Sequence, residues 1–165
     1  MTNLTGGCLC GAVRYEISGP PKLTVSCHCR DCQYASGGAP AHVMILWADD
    51  VAIKKGKPKE HYTVSAKGNR MGRLFCEVCG TPLFAKNEAH PEIVHVKVGS
   101  LDDTSQFRVQ ANIWVSSAPP WHYIDSAVTR FPHDPEIGLK AFLELARTSI
   151  VKLGRATGLS RKETA

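Results

Sequence analysis

Hydrophobic and polar residues alternate with a period of two along much of the chain before residue 115. Val13, Tyr15 and Ile17 are interleaved with Arg14, Glu16 and Ser18, a pattern that predicts a strand with one buried face. Gly19-Pro20-Pro21 ends it. Residues 23–26 predict a second short strand. Ala41 to Trp47 is an apolar run of strand length, and residues 51–54 predict another strand. Residues 60–65 alternate again through Tyr62 and Val64, and Lys67-Gly68-Asn69-Arg70 reads as a hairpin connection. Residues 93–98, rich in β-branched side chains, and residues 107–115 predict two more strands. Helical spacing comes only at the end, where Leu139, Phe142, Leu143, Ala146, Ile150 and Leu153 recur. Asp134 fits its N-cap, Pro135 its first turn and Gly154 its stop. The pattern predicts a mainly-β domain followed by one C-terminal helix, 134–154, packed on it. Residues 155–165 are polar and basic and are expected to be disordered.

Composition narrows the class. A length of 165 residues suits one domain, and 43% hydrophobic with 21% charged residues is the balance of a soluble globular chain. No apolar run approaches the ~20 residues that span a bilayer. The first residues have neither a basic segment nor an apolar one, which argues against a secretory signal. The expected location is therefore cytoplasmic, where thiols stay reduced. The formal charge of +5 is spread along the chain outside the basic tail, which argues against a nucleic-acid partner.

The seven cysteines change the picture most. Their odd number argues against a pure disulfide framework. Cys27, Cys29 and Cys32 form overlapping C-x-C and C-x-x-C spacings around His28, able to wrap one soft metal ion. Three thiolates leave a coordination position free. Cys8, Cys10, Cys76 and Cys79 supply two further pairs bracketed by glycines, enough for a closed tetrahedral zinc site. Arg73 to Phe84 reads as a zinc knuckle, with Gly80 directly after the second thiol. A zinc ion on both pairs would staple the N-terminus to the middle of the chain. Buried, unligated cysteines are the plain alternative, but burial alone does not produce paired spacings.

The trio leaves several readings open. His28 would have to fold back to become a fourth ligand, whereas His42 could reach from the next strand. A redox Cys29–Cys32 pair lacks the βαβ context that motif normally occupies. The small residues Ser36-Gly37-Gly38 suit either close approach to a ligand or a simple loop. His61, His90, His95, His122 and His133 have no metal spacing. Trp47, Trp114 and Trp121 read as packing residues, and Asp102-Asp103 as part of a turn.

The residues Gly7-Cys8-Leu9-Cys10-Gly11, Cys27-His28-Cys29-x-x-Cys32, Ser36-Gly37, Phe75-Cys76-x-x-Cys79-Gly80 and Val98-Gly99-Ser100-Leu101-Asp102-Asp103, with the late Trp121, resemble the glutathione-dependent formaldehyde-activating enzyme family, which includes centromere protein V. The likeness covers about residues 5–132, taken as the zinc-binding domain. It implies an Mss4-like fold of several coiled β-sheets pinned by zinc. By position, Cys8, Cys10, Cys76 and Cys79 would hold a structural zinc, and Cys27, Cys29 and Cys32 a second, looser zinc at the active site. The implied reaction joins glutathione and formaldehyde into S-hydroxymethylglutathione, or runs in reverse as a carbon–sulfur lyase, so the implied partner is a small thiol or thiol adduct. A non-catalytic interaction module for a nucleic acid or a protein is the rival the centromere branch implies. Asn112 stands where relatives often carry histidine or an acid.

Overall fold

The computed structural model describes residues 4–135. They form two sheets and one short helix. The first sheet joins β1 (Leu4–Gly7), β2 (Arg14–Ile17) and β5 (Val51–Lys55) in the order β1-β2-β5. The second contains β3 (Leu23–Cys27), β4 (Ala41–Trp47), β6 (Lys59–Val64), β7 (Arg70–Phe75), β8 (Pro82–Asn87), β9 (His90–Lys97), β10 (Ala111–Ile113) and β11 (Thr129–Arg130). Its order is β11-β10-β3-β4-β9-β8-β7-β6, antiparallel except where β10 runs parallel to both β3 and β11. The mainly-β architecture expected from the period-two pattern is the one present.

The large sheet has two distinct faces, because successive side chains on a strand point opposite ways. Met44, Leu46, Phe84, Val94 and Val96 pack with Val13, Tyr15 and Ile17 into the main core between the sheets. Tyr15 is 1% exposed, lies edge-on to Phe84, and shares a 2.7 Å hydrogen bond with the Ser100 hydroxyl. Gly6 is required beside it, since a Cβ there would come within 2.4 Å of the Tyr15 ring. The opposite face carries a second cluster, Leu23, Val25, Ala41, Val43, Ile45, Ile93 and Ala111. Strand register places Leu23, Ile45, His95, Ala85, Arg73 and His61 in one row across this face, with Val25, Val43 and Lys97 in the next.

Two expectations change, and a third falls outside what the structure describes. The helix in the described residues is α1 (Arg30–Ala35), directly after Cys29, where only a thiol-bearing turn was read. Six residues are too few to show helical periodicity. The helix expected over 134–154 and the tail 155–165 lie outside the described residues, apart from Asp134 and Pro135. The strand expected over residues 107–115 shrinks to β10, because Trp114 turns left-handed at φ 59° and breaks the extended run. The Asp102-Asp103 turn is as read. Asp102 accepts from Arg14 and Thr5, and Asp103 caps the Ser105 amide at 2.8 Å.

Candidate functional site

The two cysteine groups each converge. Cys8 and Cys10 leave β1 in a tight loop before β2, while Cys76 and Cys79 occupy the β7–β8 turn. All four Sγ atoms lie within 4.8 Å of one another. The Cys8–Cys10 and Cys10–Cys76 sulfur distances are 3.5 and 3.8 Å. A tetrahedron with metal–sulfur arms of ~2.3 Å has edges of about 3.8 Å, so the donor set fits one ion. Local hydrogen bonds aim the sulfurs. The Val13 amide donates to Cys8 Sγ at 3.2 Å, and the Thr81 hydroxyl lies 3.1 Å from Cys79 Sγ. The Thr81 hydroxyl and its backbone amide hold the Cys79 thiol down at about 5. Gly80 takes φ +73° while its amide donates to Cys76 at 2.8 Å, the left-handed step that closes the turn.

The second group is built from three consecutive elements. Cys27 ends β3, Cys29 is the residue before α1, and Cys32 lies in its first turn. Their sulfurs also fall within 4.8 Å of one another, with no fourth histidine, cysteine, aspartate or glutamate joining them among the described residues. Gln33 fixes the turn from behind. Its side-chain amide donates to the His28 carbonyl at 2.7 Å and to that of Ser117 at 2.9 Å. Neither histidine considered as a fourth ligand is available. His28 points to the other face, where Nε2 meets Asn112 Oδ1 at 3.1 Å. His42 lies on that face too, with Nδ1 2.7 Å from the Ser26 hydroxyl. Asn112 therefore supports the turn from the back and does not line the cavity.

The trio opens into a cavity of about 190 Å³ on the second face of the large sheet. Val25, Val43, Ile45 and Ile113 form its apolar wall, and Arg73, His95 and Lys97 its polar wall. None of the quartet cysteines lines it. Trp114 closes one side. Its left-handed backbone is unusual for a bulky residue and is held by an Nε1–H donated to Asp134 at 2.9 Å. Asp134 also pairs with Lys67 at 2.9 Å, tying the hairpin after β6 to the rim. The electrostatics favour one anionic sulfur among the three, that of Cys32. The Cys27 and Cys29 thiols, helped by Lys97 and Arg73, lower Cys32 to about 2 despite its burial. The neighbouring sulfurs and burial push Cys27 up. Burial lowers both Lys97 and His95.

Arg73, His95 and Lys97 were not legible as site residues. Each occupies an alternating position that reads equally well as a solvated strand face. His61, His90, His122 and His133 join neither sulfur group among the described residues. Gly37 and Gly38 have open space around them and positive φ, so they serve the chain reversal after α1. Trp47 and Trp121 are 40% and 71% exposed and are not core packing, contrary to expectation.

The family model for the glutathione-dependent formaldehyde-activating enzyme matches residues 3–117. The chain belongs to that family. A Halomonas elongata protein named "Putative glutathione-dependent formaldehyde-activating enzyme" is 27% identical over 128 residues, covering 74% of this chain and 82% of the relative. A Rhodobacter sphaeroides protein of known crystal structure shares the fold at TM-score 0.50 and 21% identity, over 62% of this chain and 91% of that one. Membership in this family agrees with the resemblance read from the cysteine motifs. Among the described residues, no helix is long and apolar enough to cross a membrane.

Proposed function

We propose that the protein is a zinc-dependent carbon–sulfur lyase that makes and breaks the bond between a small thiol and an aldehyde, glutathione and formaldehyde being the pair the family name suggests. Cys8, Cys10, Cys76 and Cys79 would hold a structural zinc. Cys27, Cys29 and Cys32 would hold a second, looser zinc. The observation that carries this reading is the asymmetry between the two groups. The trio lacks a fourth donor side chain among the described residues and lines the cavity, while the quartet has four sulfurs and lies outside that cavity.

When bound at the trio, zinc supplies an open coordination position that can hold a substrate sulfur as thiolate. The protein does the rest. Its apolar wall of Val25, Val43 and Ile45 excludes water and holds thiol and aldehyde together, which favours a condensation that dilution would reverse. His95 Nδ1 lies 3.3 Å from the Ala85 carbonyl, so that nitrogen carries the hydrogen. Burial keeps the ring neutral and leaves Nε2 a lone pair. His95 thus takes the thiol proton as the sulfur becomes a thiolate, and returns it to the alkoxide oxygen that forms when sulfur bonds to the carbonyl carbon. In reverse, the hydroxyl proton leaves, the carbon–sulfur bond breaks, and thiol and aldehyde separate. The cytoplasm remains the proposed location, consistent with reduced thiols.

Cys29→Ser should lose one zinc per chain and its turnover across a panel of thiol–aldehyde pairs. Loss of one zinc with turnover unchanged would remove the trio from the reaction.

A further inference from the structure

The cavity over the trio is divided along the strand order of the large sheet, in which β10, β3 and β4 are consecutive and β9, β8 and β7 follow. Apart from Cys27, every side chain that β10, β3 and β4 give to the cavity is aliphatic: Ile113, Val25, Val43 and Ile45. The polar half begins with Lys97 and His95 on β9 and extends to Arg73 on β7, with Ala85 and Met71 between them. Register sets the aliphatic group around the trio. Ile113 pairs with Cys27, Val25 precedes Cys27 by two positions on the same strand face, and Val43 pairs with Val25. The boundary runs between register partners, Val43 against Lys97 and Ile45 against His95.

The adduct of a thiol and an aldehyde has one carbon bearing sulfur, oxygen, hydrogen and the aldehyde's own substituent. With sulfur at the trio, the oxygen belongs on the polar half, where His95 handles its proton. The substituent then faces the aliphatic half. Val25, Val43 and Ile45 are 1, 5 and 4% exposed, and such walls gain dispersion contacts when an apolar group fills the space beside them. An apolar cavity of about 150 Å³ takes up benzene. This one measures about 190 Å³. Formaldehyde offers that wall only hydrogen. The body of the thiol has a separate way out. A wider cavity of about 660 Å³ shares Asp31, Arg73 and Lys97 with the first, and none of the four aliphatic residues lines it.

We infer that the carbonyl partner is a short aliphatic aldehyde in preference to formaldehyde, its chain lying against Ile113, Val25, Val43 and Ile45, and that Val43 and Ile113 set this preference. This rests on the trio being the reacting site. The reaction stays the same addition: sulfur bonds to the carbonyl carbon, the carbonyl π pair moves to oxygen, and oxygen receives the thiol's proton. Nothing is oxidised or reduced.

The experiment measures kcat/KM of the zinc-loaded full chain with glutathione and formaldehyde, ethanal, propanal or butanal, each divided by its own uncatalysed rate constant. Every added methylene should raise that ratio about two- to fourfold. Val43→Thr places a hydroxyl in the wall at nearly the same shape and should flatten the rise. Ile113→Thr, at a half-buried position, should do the same in a chain that keeps its wild-type circular dichroism. A series that is flat or falls from formaldehyde onwards overturns the inference, as does a rise undiminished in both variants. A rise along alkanethiols at fixed formaldehyde, with a flat aldehyde series, gives the wall to the thiol and overturns it too. If no pair is turned over, the lyase reading fails and calorimetry decides the pocket, using formamide, acetamide, propanamide and butanamide, which keep the carbonyl but add no thiol. Affinity climbing with each methylene and blunted by Val43→Thr supports the aliphatic site, and equal affinities overturn it.

Discussion

Cys76→Ser should cost the fold much more than Cys29→Ser. The quartet joins Cys10 to Cys76, 66 positions apart, whereas the trio spans six residues. A cross-link restricts the unfolded chain in proportion to the logarithm of the loop it closes. That constraint amounts to about 4 kcal/mol for the long loop and about 2 kcal/mol for the short one. A chain of this size shifts its midpoint by roughly 2–4 °C per kcal/mol. Cys76→Ser should therefore lower the midpoint by about 8–16 °C, and Cys29→Ser by about 4–8 °C at most. The trio's loss should fall towards the low end, since Gln33 independently clamps its turn through the His28 and Ser117 carbonyls. The assay is thermal unfolding by circular dichroism on zinc-loaded protein, with zinc measured in the same samples. Equal midpoints for two variants that each lack one zinc would refute the assignment of the quartet as the staple.

Tyr15 should ionise only in strong alkali: burial pushes its phenol up to about 12. Because the folded value is raised, its contribution to stability is complete below the unfolded value near 10 and is lost as pH climbs towards 12, at about 1.4 kcal/mol per unit. Denaturant unfolding of wild type and Tyr15→Phe across that window reads the difference, and parallel curves would count against it. Asn112→Ala leaves His28 Nε2 buried without its partner and should cost about 1–3 kcal/mol. Zinc content should be unchanged, since Asn112 lies off the cavity; loss of the trio's zinc would show that the back of the turn sets metal affinity. His95→Gln should slow carbon–sulfur turnover by about 10²–10⁴-fold with both zinc ions retained. A change below threefold would remove it as the proton acceptor.

How far the chain could be read follows from which interactions are local. The strand at Ala41–Trp47 was legible to the residue, because an apolar run interrupted only by His42, and buried on both faces from Val43 to Leu46, has few other uses. The two sulfur groups were legible because metal ligands impose spacing on sequence. The polar wall was not. His95 and Lys97 alternate with Val94 and Val96, as they would on a strand wetted on one side, and only the pairing of β9 between β4 and β8 places them over the trio. Arg73, on another strand again, meets the same space through β8. The short helix α1 was hidden for a different reason. It is stabilised by Gln33 and by its neighbours, with no apolar stripe of its own to reveal it.

The central claim, one closed and one open sulfur site, can be read directly by X-ray absorption at the zinc edge of the fully loaded chain. The account predicts about 3.5 sulfurs per zinc on average before substrate, rising to about 4 when a thiol is added. A count of four sulfurs before any thiol arrives, or a count that does not move on its addition, would contradict it.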